Sequence, residues 1–309
     1  MKAVYFFCRD QAIDPVAAHV FSSLARLRDL TAAGIEMDGH PVMKAEEGGH
    51  AFYFCRTDKV LSHDYDRYLP RLTRDFNDFD FAGLVNWHQG GNAPQAVFCV
   101  HTTGDVVSGS WGPADPVLTR NLLLRIEHNR RELGLDGFLT VHEATHWSGI
   151  PHGGRPEMIP LFRTPLVDIE IGSQPASWSD ERAHEALARS LCEVFTASPG
   201  ALRSLLCVGG VHLEPSYTAA VIRGDERFPF ATSHILANQW IVAGAYEATS
   251  GPERLASCVA SISGGVHAIA FHDNLKGAYK DRVRMLAQEL GVPCFKHQKL
   301  ERPQLLELW

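Results

Sequence analysis

The sequence predicts an α/β protein in which strands and helices alternate to build a layered core. Two observations lead there. Short apolar or β-branched runs at 2–8, 51–55, 81–87, 96–101, 137–142, 166–171, 204–211, 266–271 and 292–296 read as strands. Between them, helical periodicity places helices at 14–29, 114–133, 178–196, 237–248, 252–260 and 275–290, and such interleaving is the pattern of a layered α/β domain. The composition agrees, because 309 residues with 45% hydrophobic and 21% charged side chains supply a buried core and exclude a disordered chain.

Taken in order, the first run, Lys2-Ala3-Val4-Tyr5-Phe6-Phe7-Cys8, is too short an apolar stretch for a secretory leader. Residues 37–50, with Gly39, Pro41, Glu46, Glu47, Gly48 and Gly49, read as a long surface loop. Gly137-Phe138-Leu139-Thr140-Val141 is a β-branched and aromatic run behind glycine, so 137–142 is expected as a strand that enters a loop at 143–157. A glycine-terminated helix is the competing reading of that segment. Helix 178–196 begins at Ser177 or Ser179, followed by Asp180 and Glu181, and its Ala183, Leu187, Leu191 and Val194 share one face. We read residues 1–309 as one domain, without internal repeats or low-complexity segments.

No stretch approaches the roughly 20 apolar residues of a membrane span, so a soluble, cytoplasmic protein is expected. Seven cysteines without a C-x-x-C pair fit a reducing compartment, where they act as small buried hydrophobes. A net charge of −7 excludes a general nucleic-acid coat. Local charge differs. Arg120, Arg125, Arg130 and Arg131 stand against Glu127 alone, and Lys276, Lys280, Arg282 and Arg284 lie in a second basic run; a solvated helix face is the plain explanation of both.

Residues 142–152 match the H-E-x-x-H-x-x-G-x-x-H zinc signature literally. In a metalloprotease, His142, His146 and His152 would hold zinc, Glu143 would be the base, and Met158 or another methionine would lie beneath. The strand-like approach and the Gly/Pro-rich exit through Gly149, Pro151, Gly153, Gly154 and Pro156 argue against that helix. Five of the sixteen histidines, His88, His101, His142, His212 and His272, instead sit where a strand gives way to a loop. In open α/β sheets ligands gather at the carboxyl ends of strands. Thr102-Thr103-Gly104-Asp105 and Gly209-Gly210 supply small, polar or flexible neighbours.

With these segments in place, the chain resembles the archaeal and plant type of D-aminoacyl-tRNA deacylase. The resemblance rests on Trp87-His88-Gln89, Val100-His101-Thr102-Thr103-Gly104-Asp105, Glu143-Ala144-Thr145-His146, Val167-Asp168-Ile169-Glu170-Ile171-Gly172-Ser173, Gly209-Gly210-Val211-His212-Leu213-Glu214-Pro215, Ser233-His234 and Asn274-Leu275-Lys276-Gly277, in family order. The chain departs from the pattern at Trp147-Ser148-Gly149, His142, Asp105 and Gly90, inside the presumed site.

The resemblance implies a mixed central sheet flanked by helices, similar to purine nucleoside phosphorylase and peptidyl-tRNA hydrolase folds. It also implies hydrolysis of the ester of a D-aminoacyl-tRNA, or of another mischarged or modified aminoacyl-tRNA, with the aminoacylated 3′ end of tRNA as partner. The expected catalytic residues are His101, Thr102, Thr103, Glu143, His146 and His212, and the expected substrate-binding residues are His88, Gly104, Asp105, Gly209, Gly210, His234 and Lys276. His101, His146 and His212 are the candidate ligands of a zinc ion that would activate water, with a metal-free base as the other possibility. The rivals are the zinc protease and a non-catalytic tRNA or nucleotide binder.

Overall fold

The computed structural model describes residues 1–197, 199–224 and 226–309. The first half alternates β1 (Lys2–Cys8), α1 (Ala17–Leu27), β2 (Thr31–Met37), β3 (His40–Glu47), β4 (His50–Thr57), α2 (Tyr65–Asp75), β5 (Phe81–His88) and β6 (Ala96–Thr102). There follow the two-residue strands β7 (Gly104–Asp105) and β8 (Ser110–Trp111), then α3 (Pro116–Glu132), β9 (Leu139–His142) and β10 (Leu166–Ser173). The second half comprises α4 (Pro175–Trp178), α5 (Glu181–Leu191), β11 (Arg203–Val208), α6 (Pro215–Ile222), β12 (Phe230–Leu236), α7 (Asn238–Ala243), α8 (Gly251–Ala260), β13 (Ala268–Phe271), α9 (Gly277–Leu290) and β14 (Cys294–Lys296).

These strands make a mixed eight-stranded sheet, ordered β2-β3-β4-β1-β5-β10-β6-β9, and a parallel four-stranded sheet, ordered β12-β11-β13-β14. Helices flank both, as the α/β reading requires. Residues 139–142 are a strand, parallel to β6 at the edge of the large sheet, and 143–157 is a loop with short 3₁₀ turns. The surface loop expected at 37–50 is instead the hairpin strand β3, whose antiparallel pairing with β2 and β4 turns its glycines into hairpin corners. Strands β2 and β12 and helices α2 and α6 were not expected, and the helix expected at 178–196 ends at Leu191.

Period-two alternation in the three central strands separates two environments. Val85, Val167, Ile169, Ile171, Phe98 and Val100 point into the main apolar core with Tyr5, Phe7 and helices α1, α3 and α5. Strand register then puts Asn86 and His88 of β5, Asp168 and Glu170 of β10, and Cys99 and His101 of β6 on the opposite face. That face carries a buried polar stripe.

Candidate active site

The stripe is the floor of the site. Because β6 runs antiparallel to β10, the carboxyl ends of β5 and β6 lie at opposite ends of the sheet, and side chains meet across its face rather than along one rim. His101 Nε2 lies 3.3 Å from Asp168 and 3.6 Å from Glu170. Burial alone would strip the His101 proton, but the carboxylates of Asp168, Glu170 and Glu143 raise its pKa to about 10 and hold it as an imidazolium. Burial raises the Glu170 pKa, and the attraction of His101 opposes that rise. Asn86 Nδ2 donates to Asp168 at 3.0 Å and fixes that carboxylate.

Glu143 follows β9 and turns over the stripe. Its carboxylate touches His212 Nε2 and lies 3.7 Å from His88 and 4.0 Å from His146. Burial disfavours its charge, yet the His212 contact and the nearby imidazolium of His101 lower its pKa, so Glu143 is ionised. His146 stacks on His101 with ring centroids 3.7 Å apart, and burial with the adjacent His101 charge lowers its pKa to about 3, leaving it neutral. Burial likewise keeps His88 neutral, and Ser173 Oγ fixes its Nδ1 at 2.6 Å. Gly172 is required here, since a Cβ would fall 2.5 Å from His88 Cβ.

Two sheets build this site together. Ala144 N donates to His212 O and Thr145 N to Ile235 O, so the 143–146 segment is threaded between them. Gly209 and Gly210, with φ of 88° and 86°, make the turn that carries His212 inward. His146 and His212 keep 23% and 37% of their side chains exposed, whereas Glu143 keeps 1%; the two imidazoles are therefore what a substrate meets first.

His101, Glu143, His146 and His212 thus share one site, and His88 borders it. The other expected residues fall differently. Thr102 and Thr103 are buried with their hydroxyls engaged: Thr102 Oγ1 meets Thr145 Oγ1 and His234 Nδ1, and Thr103 Oγ1 donates to Leu166 O. His234 is fully buried beneath Trp111, 2.9 Å from Thr102, and cannot touch a substrate. Gly104 and Asp105 form the short strand β7 beyond the cluster, where Asp105 Oδ2 accepts from Ser108 N. The N–H groups of Gly209 and Gly210 are occupied by Leu236 O and Asn274 Oδ1. Lys276 is exposed at the start of α9. Asp168 and Glu170 were missed as site groups, although two acids alternating with Val167, Ile169 and Ile171 already mark one polar face. Trp240 was missed too; its indole covers His212 and His146 at 5.0 and 5.5 Å.

The zinc-protease reading is overturned. His142 turns away to Thr232, His152 stacks on His63 with centroids 3.5 Å apart, and Met158 packs into a separate apolar cluster. The histidines of the signature therefore do not converge. Nor do the donors of His101, His146 and His212 form one compact set: Glu143, His146 and His212 have ligand atoms within 4.8 Å of one another, while His101 groups with Asp168 and Glu170. Glu143 Oε2 is buried without a hydrogen-bond partner, as a polar site built for a cation or water would leave it.

The comparisons with known proteins agree with this architecture. The family model of D-aminoacyl-tRNA deacylases matches residues 75–295. A D-aminoacyl-tRNA deacylase of Korarchaeum cryptofilum is 25% identical over 246 residues, covering 75% of this chain and 78% of its own length. One from Pyrococcus abyssi is 24% identical over 294 residues, 92% and 97% of the two chains. A crystal structure of a conserved protein of unknown function superposes with a TM-score of 0.75 over 98% of this chain and 97% of its own, at 19% identity, a likeness of fold.

Proposed function

We propose, because the chain belongs to the D-aminoacyl-tRNA deacylase family, that this hydrolase cleaves the ester joining a D-amino acid to the terminal adenosine of tRNA, releasing both. The observation that carries the reading is the buried, ionised Glu143 at the centre of four histidines drawn from both sheets. An aminoacyl ester is already activated, so its hydrolysis requires a positioned water, a proton acceptor and stabilisation of the developing oxyanion, but no covalent nucleophile. Glu143 Oε2, which has no protein partner, accepts the proton of that water. His146 and His212, the accessible members, hold the ester, and the fixed charge of His101 behind His146 favours the oxyanion through its field.

A zinc ion fits Glu143, His146 and His212, an N₂O donor set with an unpartnered carboxylate oxygen. Bound there, zinc would supply a water of lowered pKa. Thr102, Thr103 and His234 act as positioning residues, since the Thr102 hydroxyl and the His234 ring meet Thr145 and the Thr103 backbone pairs with His146, which together hold the loop that presents His146. We read 1–309 as one functional unit because the site draws on both sheets. No helix among the described residues is long and apolar enough to cross a membrane, and a tRNA substrate assigns the protein to the cytoplasm.

The test is a panel of D- and L-aminoacyl-tRNAs assayed for amino-acid release, with a peptide substrate alongside. We expect release from D-aminoacyl-tRNA and intact peptide. Preferential release from the L-series would overturn the chirality assignment, and peptide cleavage the reaction class.

A further inference from the structure

Outside the cluster, a groove of about 610 Å³ runs along the open side of β9, walled by the end of α3 and by α6. A second cavity of about 460 Å³ shares Ser216, Ala219, Arg223 and Glu301 with it and prolongs it toward His297. Three observations assign it an occupant.

The groove adjoins the reacting groups. Leu213, which lines it, follows His212 and packs on Val97, Cys99 and Val141. Cys99 Sγ in turn lies within 4.8 Å of the donor atoms of His88 and Glu143. The floor of the groove is thus one side chain away from the Glu143 carboxylate.

Its floor is apolar and opens to solvent at Leu139. Leu139, on the edge strand, is 51% exposed, and Val141, Leu213 and Ile222 continue the surface. Its rim sets Arg130, Arg131 and Arg223 against Glu127 and Glu301, a local excess of positive charge in a chain of net charge −7. Arg131 keeps 61% of its side chain exposed while contacting Glu127, and Arg223 is exposed with no ion-pair partner among the described residues. Apolar floor with cationic rim matches single-stranded RNA, whose bases are unpaired flat faces and whose phosphates are anionic. A duplex keeps its bases stacked inside and would leave the floor uncovered.

We propose that this groove seats the single-stranded 3′ end of the RNA substrate, its bases over Leu139 and Leu213 and its phosphates against Arg131 and Arg223, so that the terminal nucleotide is delivered beside His212. The assignment rests on the deacylase reading, but its test does not require turnover.

The probe is a fluorescently labelled, uncharged RNA tail ending in CCA, titrated with the intact protein and followed by anisotropy. We expect its Kd to rise about tenfold or more in the doubly substituted Arg131→Ala/Arg223→Ala protein, with a salt dependence shallower by about 0.7 for each phosphate that is no longer neutralised. Leu139→Glu, at an already exposed position, should weaken binding comparably, with unchanged melting behaviour showing that each variant is folded. Unchanged affinity in both variants would overturn the proposal, as would equal competition by a blunt RNA duplex. So would a wild-type dimer that Leu139→Glu dissociates, since the groove would then be covered by a second copy. A wild type that binds the tail through these residues but releases no amino acid would sink the deacylase reading alone.

Discussion

Glu143 and His212 are in direct carboxylate–imidazole contact although one follows the edge strand of the large sheet and the other the glycine turn of the small one. This pairing keeps a buried carboxylate ionised while leaving one of its oxygens free, and the predictions begin there.

Glu143→Gln preserves size and removes the proton acceptor. Turnover on D-aminoacyl-tRNA should fall by about 10²-fold or more with KM little changed. Single-turnover rates that match the wild type would move the chemistry to His146 or His212.

Metal content separates zinc from a metal-free base. Purified protein should carry about one zinc per chain, lost in His212→Ala and in Glu143→Gln, as three protein donors require. Elemental analysis that finds full zinc in both variants, or none in an active wild type, would remove the metal from this site.

His152→Ala should leave turnover unchanged, because its ring lies on His63 and contributes nothing to the cluster. A large loss in kcat would revive a role for the third histidine of the signature.

His101→Phe should cost about 3–5 kcal/mol in urea unfolding, because it leaves Asp168 and Glu170 buried without their cation. A loss below about 1 kcal/mol would mean that the carboxyls are not held by charge.

Asp14 sets a pH dependence. Its Oδ1 accepts from Val16 and Ala17 N at the start of α1, while Oδ2 is buried without a partner beside a small void shared with Thr57 and Asn86. Burial raises its pKa from 3.8 to about 7 despite those N–H donors. The folded state therefore retains a proton that the unfolded state releases, and stability declines as pH rises from about 4 to about 7, by about 4 kcal/mol in all, at about 1.4 kcal/mol per tenfold change in acidity. Asp14→Asn keeps the cap and removes the charge, so its melting temperature should exceed that of the wild type at pH 8 and approach it at pH 4. Parallel melting curves across that range would contradict the assignment.

Strands β5, β6 and β9 were legible because each combines a β-rich run with a histidine near its end, as in Val97-Phe98-Cys99-Val100-His101. What escaped reading had physical causes. Strand β12, Phe230-Ala231-Thr232-Ser233-His234-Ile235-Leu236, is buried on both sides, so its polar residues are satisfied by His142, Leu205 and Thr102 on other strands and leave no period of two. Helix α2 contains Pro70, and β3 is bracketed by glycines that mimic a loop. Thr102 looked catalytic because it neighbours His101, but alternation turns the two side chains to opposite sides of β6. The convergence of His212 on Glu143 depends on how two sheets pack, which no local pattern encodes.

The threading of residues 143–146 between the sheets has an evolutionary consequence. A substitution that tilts either sheet displaces one half of the reacting set relative to the other, so changes in the two halves are felt jointly. Drift should then proceed by compensating pairs across the seam, and grafting either sheet from a distant relative should yield a folded but inert protein until its opposite number is exchanged as well.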